Sequence, residues 1–283
     1  MALVSMKQIL DEANTENYAV AAFDVVDHAS AEAVVQAAEV GKRPVILMFP
    51  EAALPLVVAD TFFPFLVDLA RKSDVPIALH WDHGQQFEAI MQAIHHGFSS
   101  VMIDGSSLPL AENIALTKRI TEIARAAEVS VEAEIGHVAG GEGSFEGSKV
   151  DESMYTDPKE AKLFAEETGV DALAVAIGTV HGKYKGTPKL DVERLKEIKQ
   201  AVGIPLVLHG GSGVSDEEFK KVIAGGINKI NIFTEISIAA VEKSLEQASK
   251  RENKLHFAEL ILAGRTEIFG IASRYLELFG ESR

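Results

Sequence analysis

The apolar residues of this chain fall into short β-branched runs separated by stretches of helical periodicity. The runs are Val20–Val25, Pro44–Phe49, Pro76–Trp81, Ser100–Asp104, Ser130–Ile135, Ala172–Ile177, Pro205–His209 and Lys229–Phe233. They recur about every 20–40 residues, the length of one strand–helix unit. Between them, Leu195, Ile198 and Val202 share one helical face, and Leu116, Ile120, Ile123 and Ala127 share another. Helix starts are marked chemically. Asp157-Pro158-Lys159-Glu160 offers a capping oxygen, a proline at the first helical position and an early acid, and Ser215-Asp216-Glu217-Glu218 reads as a capping box. Such alternation predicts a parallel α/β sheet, and eight units predict a closed (β/α)8 TIM barrel, with an open doubly wound sheet as the alternative. One domain over 1–283 is expected, with extra helices over about 244–283.

Composition narrows the chemistry. Apolar residues make up 47% of the 283 positions, enough for a large core, and no run reaches the roughly 20 residues that span a bilayer. The first ten residues lack the pattern of a secretory signal. Cysteine is absent, so disulfides and thiolates are excluded and a metal must use His, Asp or Glu. A cytoplasmic setting is expected. The formal net charge of -15 argues against nucleic acid or anionic membrane as partners. A phosphorylated substrate would therefore need positive potential made locally.

In barrels of this kind the active site lies at the C-terminal ends of the strands. Polar residues do cluster at the ends of the runs: His80-Trp81-Asp82-His83-Gly84, Asp104-Gly105-Ser106, Glu132 and Glu134, Gly178-Thr179-Val180-His181-Gly182, His209-Gly210-Gly211-Ser212-Gly213, and Asn231 with Thr234. A lone histidine at a strand end commonly only satisfies a hydrogen bond. Three at matching positions, His83, His181 and His209, point instead to a divalent metal with an open coordination position. Asp82 reads equally as a partner of a metal ligand or as a general acid/base. His80 is expected to orient its neighbours, and His95 and His96 to end a helix. His28 and His256 have no chemical neighbours in sequence, and the rim-edge His137 is left open.

The glycine-rich run from His209 to Gly213 precedes a capped helix and offers backbone N–H groups to an anion, with Gly182 and Thr234 at neighbouring rim positions. Lys183 and Lys185 are within loop reach. The stretch from Gly136 to Ser144 reads as a lid carrying Glu142.

Over roughly residues 1–243 these motifs resemble the class II, metal-dependent aldolases that act on fructose and tagatose 1,6-bisphosphates. The resemblance rests on Ala78–Gly84, Ser100–Ser106, Val131–Gly136, Ala174–Gly182, Pro205–Ser212 and Asn228–Asn231. It implies Zn2+ on His83, His181 and His209, with Asp82 and Glu142 as the catalytic acid/base groups. It implies that Gly182, Lys185, Gly210, Gly211, Ser212, Asn231 and Thr234 hold dihydroxyacetone phosphate. Carbonyls near Val180, Gly182 and Gly210 would bind Na+ or K+, and Asp104 and Glu134 would host an alternative metal position. A homodimer or homotetramer is implied as well.

The chain departs from the family on the aldehyde side. Phe233 stands where an aspartate or alanine is usual, Asp24 where an asparagine is usual, and Phe49-Pro50-Glu51 replaces a stretch that offers serine or threonine. The arginine segment that reaches the distal phosphate is not recognisable, with Arg265 the one substitute in view. The alternatives are therefore an aldolase for a ketose 1-phosphate with a non-phosphorylated or sulfonated aldehyde half, and a non-catalytic sugar-phosphate-binding subunit. A Schiff-base aldolase would have only Lys229, placed at the start of its run and far from the rim.

Overall fold

A computed structural model of the protein describes residues 2–138, 140, 152–182, 184, 188–252 and 254–280. Eight parallel strands, β1 to β8 in chain order, close into a barrel with β8 back against β1. They are Val20–Asp24, Val45–Pro50, Ile77–Gly84, Ser100–Ile103, Ser130–Ile135, Ala172–Val175, Leu206–Leu208 and Ile227–Ile232. The helices α1 to α10 are Met6–Glu16, His28–Gly41, Ala59–Lys72, Phe87–His96, Leu110–Ala126, Pro158–Thr168, Val192–Val202, Asp216–Gly225, Thr234–Lys250 and Phe257–Phe279. The open-sheet alternative is excluded by the closed hydrogen-bonded ring. The Asp157 side chain accepts from the N–H groups of Lys159 and Glu160 as anticipated, and Ser215 accepts from that of Glu218; only this half of the expected capping box forms, since the Glu218 carboxylate pairs with Lys221.

Strand periodicity divides the core in two. Outward residues such as Phe23, Leu47, Phe49, Leu79, Trp81 and Val101 pack under the helices. Inward residues Val20, Ala22, Ile46, Met48, Ala78, Ala172, Ala174 and Val207 fill the lower barrel and meet Met6, Ile9, Leu10 and Ala13 of α1. Helix α1 thus plugs the end opposite the active rim, each large side chain contributing about 1.5–3 kcal/mol by burial. Continuing the same alternation upward, the next inward positions are polar: Asp24, His80, Asp82, Glu132, Glu134, Lys229 and Asn231, all buried.

Two boundaries differ from the sequence expectation in ways that matter. The strand expected to stop at Trp81 runs on to Gly84 and so carries Asp82 and His83 itself. Lys229 does not begin its strand; β8 starts at Ile227, and Lys229 lies within it, fully buried in the barrel. At the C-terminal end, α10 packs against α2, α8, α9 and β1, filling the place in the helical ring that α9 leaves.

Candidate active site

Alternation along β3 would turn Asp82 into the barrel and His83 out of it. The backbone breaks that rule. Pairing with β4 slips between Trp81 and Gly84, and His83 adopts a left-handed φ of 46°. A non-glycine residue there costs about 1–2 kcal/mol. The break is held by the Gly84 carbonyl, which accepts the Asp104 N–H at 2.8 Å. As a result two consecutive residues, Asp82 and His83, line one cavity.

His83, His181 and His209 meet at that point. One ligating atom from each lies within 4.8 Å of the others. Each imidazole also has its second nitrogen occupied. His83 Nδ1 lies 2.9 Å from Asp104 Oδ2, His209 Nε2 lies 2.9 Å from Glu132 Oε1, and His181 Nδ1 lies 3.1 Å from the Gly140 carbonyl. These acceptors take the ring N–H groups and thereby fix the tautomers, leaving His83 Nε2, His209 Nδ1 and His181 Nε2 as lone-pair donors. His83 Nε2 and His209 Nδ1 are 2.8 Å apart. Two lone pairs repel at that distance unless a positive charge lies between them. Burial, reinforced by His83 and His209, lowers the His181 pKa to about 3, so this ring is neutral and able to ligate. The donor set fits a divalent cation.

The acceptors behind the rings are themselves supported. Burial opposes ionisation of Asp104, but the hydrogen bond and charge of His83 and the bonds from Ser106 hold its pKa well below the usual range. Burial opposes ionisation of Glu132 too, and the Lys229 ammonium, 2.7 Å away, together with the His209 bond brings its pKa down to about 2. Lys229 was missed as a site residue because its run gives no clue that a lysine faces the barrel axis. Glu134 behaves differently: burial and the Asp104 charge raise its pKa, and its Oε2 has no hydrogen-bond partner. His83, Asp104 and Glu134 form a second compact donor group, and His80, Asp82 and Glu132 a third. In the third, Lys229 already supplies the positive charge. His80 Nδ1 contacts Ser100 Oγ at 2.7 Å, and burial lowers the ring's pKa to about 3, consistent with an orienting role.

Asp82 is 1% exposed; its Oδ2 lies 3.7 Å from His83 Nε2, and its Oδ1 accepts from Asn231 Nδ2 at 3.4 Å. The same cavity is lined by Asp24, Gly182, Gly210, Ser212, Phe233 and Thr234. Ser212 Oγ accepts from the backbone N–H groups of Phe233 and Glu235, which ties the loop after β7 to the start of α9. Gly211 is a different case: its N–H is spent on the Asn231 carbonyl at 3.1 Å, which fixes the loop instead of pointing at a ligand. Gly210 has φ +68°, and a Cβ there would stand 2.4 Å from the Val180 carbonyl oxygen. Gly210→Ala is therefore expected to cost about 1–3 kcal/mol in denaturant unfolding, and an unchanged midpoint would contradict this packing. The Gly210 carbonyl, one of the three assigned to a monovalent cation, accepts the Tyr184 hydroxyl at 2.7 Å. Tyr184 was not foreseen, since a tyrosine between two lysines reads as a surface residue.

Beside this cavity, and sharing His83 and His181 with it, lies a larger one of about 530 Å³ lined by Glu51, Gln85, Gln86, Ser106, His137 and others. Glu142, Lys183 and Lys185 lie outside the described residues. His95 and His96 end α4 as expected, and His256 caps α10. Arg265 lines neither cavity; it pairs with Glu32 of α2 at 2.6 Å.

The family description "Fructose-bisphosphate aldolase class-II" matches residues 4–283. A protein named fructose-bisphosphate aldolase from Geobacillus stearothermophilus is 40% identical over all of this chain and 98% of its own length. The chain belongs to the class-II fructose-bisphosphate aldolase family. It is accordingly a carbon–carbon lyase. A probable fructose-bisphosphate aldolase of Bacillus subtilis (strain 168) is 41% identical over 90% of the chain and 89% of that relative. Among solved aldolase-family structures, the YdjI aldolase of Escherichia coli K12 superposes with a TM-score of 0.87 at 36% identity, covering 99% of this chain and 98% of the other. A fructose-bisphosphate aldolase from Campylobacter jejuni has a TM-score of 0.83 at 24% identity over 98% and 95% of the two chains, a likeness of fold. Metal dependence is general in the class-II aldolase family, in keeping with the histidine cluster.

Proposed function

We propose that the chain reversibly cleaves the C3–C4 bond of a ketose phosphorylated at C1, giving dihydroxyacetone phosphate and an aldehyde. The observation that carries this reading is the convergence of three tautomer-fixed imidazoles beside a buried carboxylate, with Asp82 Oδ2 3.7 Å from His83 Nε2. His83, His181 and His209 would hold a divalent cation such as Zn2+, with Asp104 and Glu134 as an alternative position. When bound, the cation supplies Lewis acidity to the substrate's carbonyl and hydroxyl oxygens. Asp82 takes the proton of the C4 hydroxyl as the bond breaks, and Glu142 returns a proton to C3 of the triose. Gly182, Gly210, Ser212, Asn231, Thr234 and Lys185 hold the triose phosphate, with Gly211 bracing their loop. Val180, Gly182 and Gly210 would offer carbonyls to Na+ or K+.

The names of the relatives favour a ketose 1,6-bisphosphate of the fructose or tagatose type as substrate. A second reading, a ketose 1-phosphate whose distal end lacks phosphate, is favoured by one observation: among the described residues lining the two cavities there is no lysine or arginine. Self-association into a homodimer or homotetramer is supported by the exposed apolar residues Val241, Leu245, Phe257, Ile261 and Leu262 on α9 and α10.

Dialysis against a chelator is the direct test. It is expected to abolish release of dihydroxyacetone phosphate, with recovery on adding one equivalent of Zn2+ per chain. Activity that survives chelation and is trapped by borohydride would replace this reading with Schiff-base chemistry at a lysine. Ligand binding with no bond cleavage would replace it with a silent binding subunit.

A further inference from the structure

We propose that Asp24 makes the aldehyde side of this cavity a receptor for an uncharged, hydroxyl-bearing carbon chain and discriminates against an aldehyde that carries phosphate. The proposal rests on the aldol reading above and names the substrate class within it.

Asp24 is the last of three inward residues on β1, after Val20 and Ala22, and so stands at the rim, where it lines the cavity shared with Asp82 and His83. It is 3% exposed, and its Oδ1 has no hydrogen-bond partner. A buried acceptor left unsatisfied costs free energy until a donor reaches it. Pairing between β1 and β8 sets Ala22 beside Asn231, so the residue facing Asp24 across the seam is Phe233, whose ring offers neither donor nor charge. Asp82 lines this cavity together with Asp24. In the proposed reaction Asp82 serves the C4 hydroxyl, which belongs to the aldehyde half.

Among the described residues lining the two cavities there is no lysine or arginine to neutralise an anion. Asn231 turns its amide nitrogen to Asp82, and Glu51 in the adjoining cavity already accepts from the Trp81 indole and from the N–H groups of Gln85 and Gln86. The other acids of that cavity are Asp104 and Glu134. Asp24 Oδ1 stands buried in this wall without a donor, which is costly. A hydroxyl donating to Oδ1 relieves that cost. A phosphate dianion has no hydrogen to donate and adds charge, so it worsens it.

The test runs the metal-loaded enzyme in the condensation direction, with dihydroxyacetone phosphate and one of three aldehydes: D-glyceraldehyde, D-glyceraldehyde 3-phosphate or propionaldehyde. D-Glyceraldehyde is expected to exceed each of the others by about tenfold or more in kcat/KM. Asp24→Asn, which can donate as well as accept, is expected to move the ratio of phosphorylated to unphosphorylated aldehyde about tenfold toward phosphate, raising KM for D-glyceraldehyde while leaving that for dihydroxyacetone phosphate in place. Asp24→Ser provides a second variant should the first fail to fold. Adduct formation that favours D-glyceraldehyde 3-phosphate in the wild type overturns the proposal, as does a ratio unmoved in both variants, and each leaves the aldol reading intact. Failure of the wild type to form any adduct sinks the aldol reading and the proposal with it.

Discussion

Asp82→Ala lowers kcat for carbon–carbon cleavage by about 10²–10⁴-fold, the usual contribution of a positioned acid/base group, while one metal ion per chain stays bound. The expectation follows from where Asp82 sits. It is not among the groups that hold the three metal-facing imidazoles, which are Asp104, Glu132 and the Gly140 carbonyl. Its loss leaves the tautomers fixed and removes only the carboxylate beside them. Removing Asp82 takes an acceptor from the Asn231 amide but also removes the charge that presses on Asp24, two effects of opposite sign on stability. Metal analysis and kcat measured on the same sample decide the matter. A variant that loses its metal would place Asp82 among the ligands, and one that keeps full turnover would remove it from the chemistry.

Glu132→Ala has the second large effect, on stability and metal affinity together. Glu132 joins two buried groups: Lys229 Nζ at 2.7 Å and His209 Nε2 at 2.9 Å, all of them 0% exposed. Deleting the carboxylate leaves an ammonium in the barrel with no counter-charge, which costs about 3–5 kcal/mol. It also frees the His209 ring to change tautomer, and loss of such a support lowers metal affinity about 10–100-fold. Denaturant unfolding and metal competition titration measure the two parts separately. Lys229→Met added to Glu132→Gln should recover most of the stability, since the charge then leaves with its partner. If the double variant is no more stable than Glu132→Ala, the ion pair is not what holds this layer.

These two predictions differ in how far the sequence anticipates them. Asp82 precedes a histidine at the end of an apolar run, and that juxtaposition marks it. Glu132 is visible as a polar residue in a strand, but its partner Lys229 reads as a strand-start lysine with nothing to show that it points at the barrel axis. The contact joins residues on β5 and β8 that lie far apart in sequence, and no local pattern encodes such pairings. His83 is similar. The motif names it as a ligand, yet regular alternation would aim it away from Asp82, and only the slipped register and left-handed backbone bring both inward.

The sequence by itself determined the eight-unit barrel and the three histidines, together with the rim on which Asp82, Ser212, Asn231 and Thr234 gather. It could do so because strand periodicity, helix caps and strand-end polarity are local signals that each unit repeats. The tertiary structure alone decided which nitrogen of each imidazole faces the centre and that α1 plugs the lower barrel. It also decided that Gly211 braces its loop, that Arg265 is committed to Glu32, and that Asp24 keeps an unpartnered oxygen in the cavity. Those outcomes depend on barrel closure and on register between strands, which set distances among residues that the chain keeps far apart.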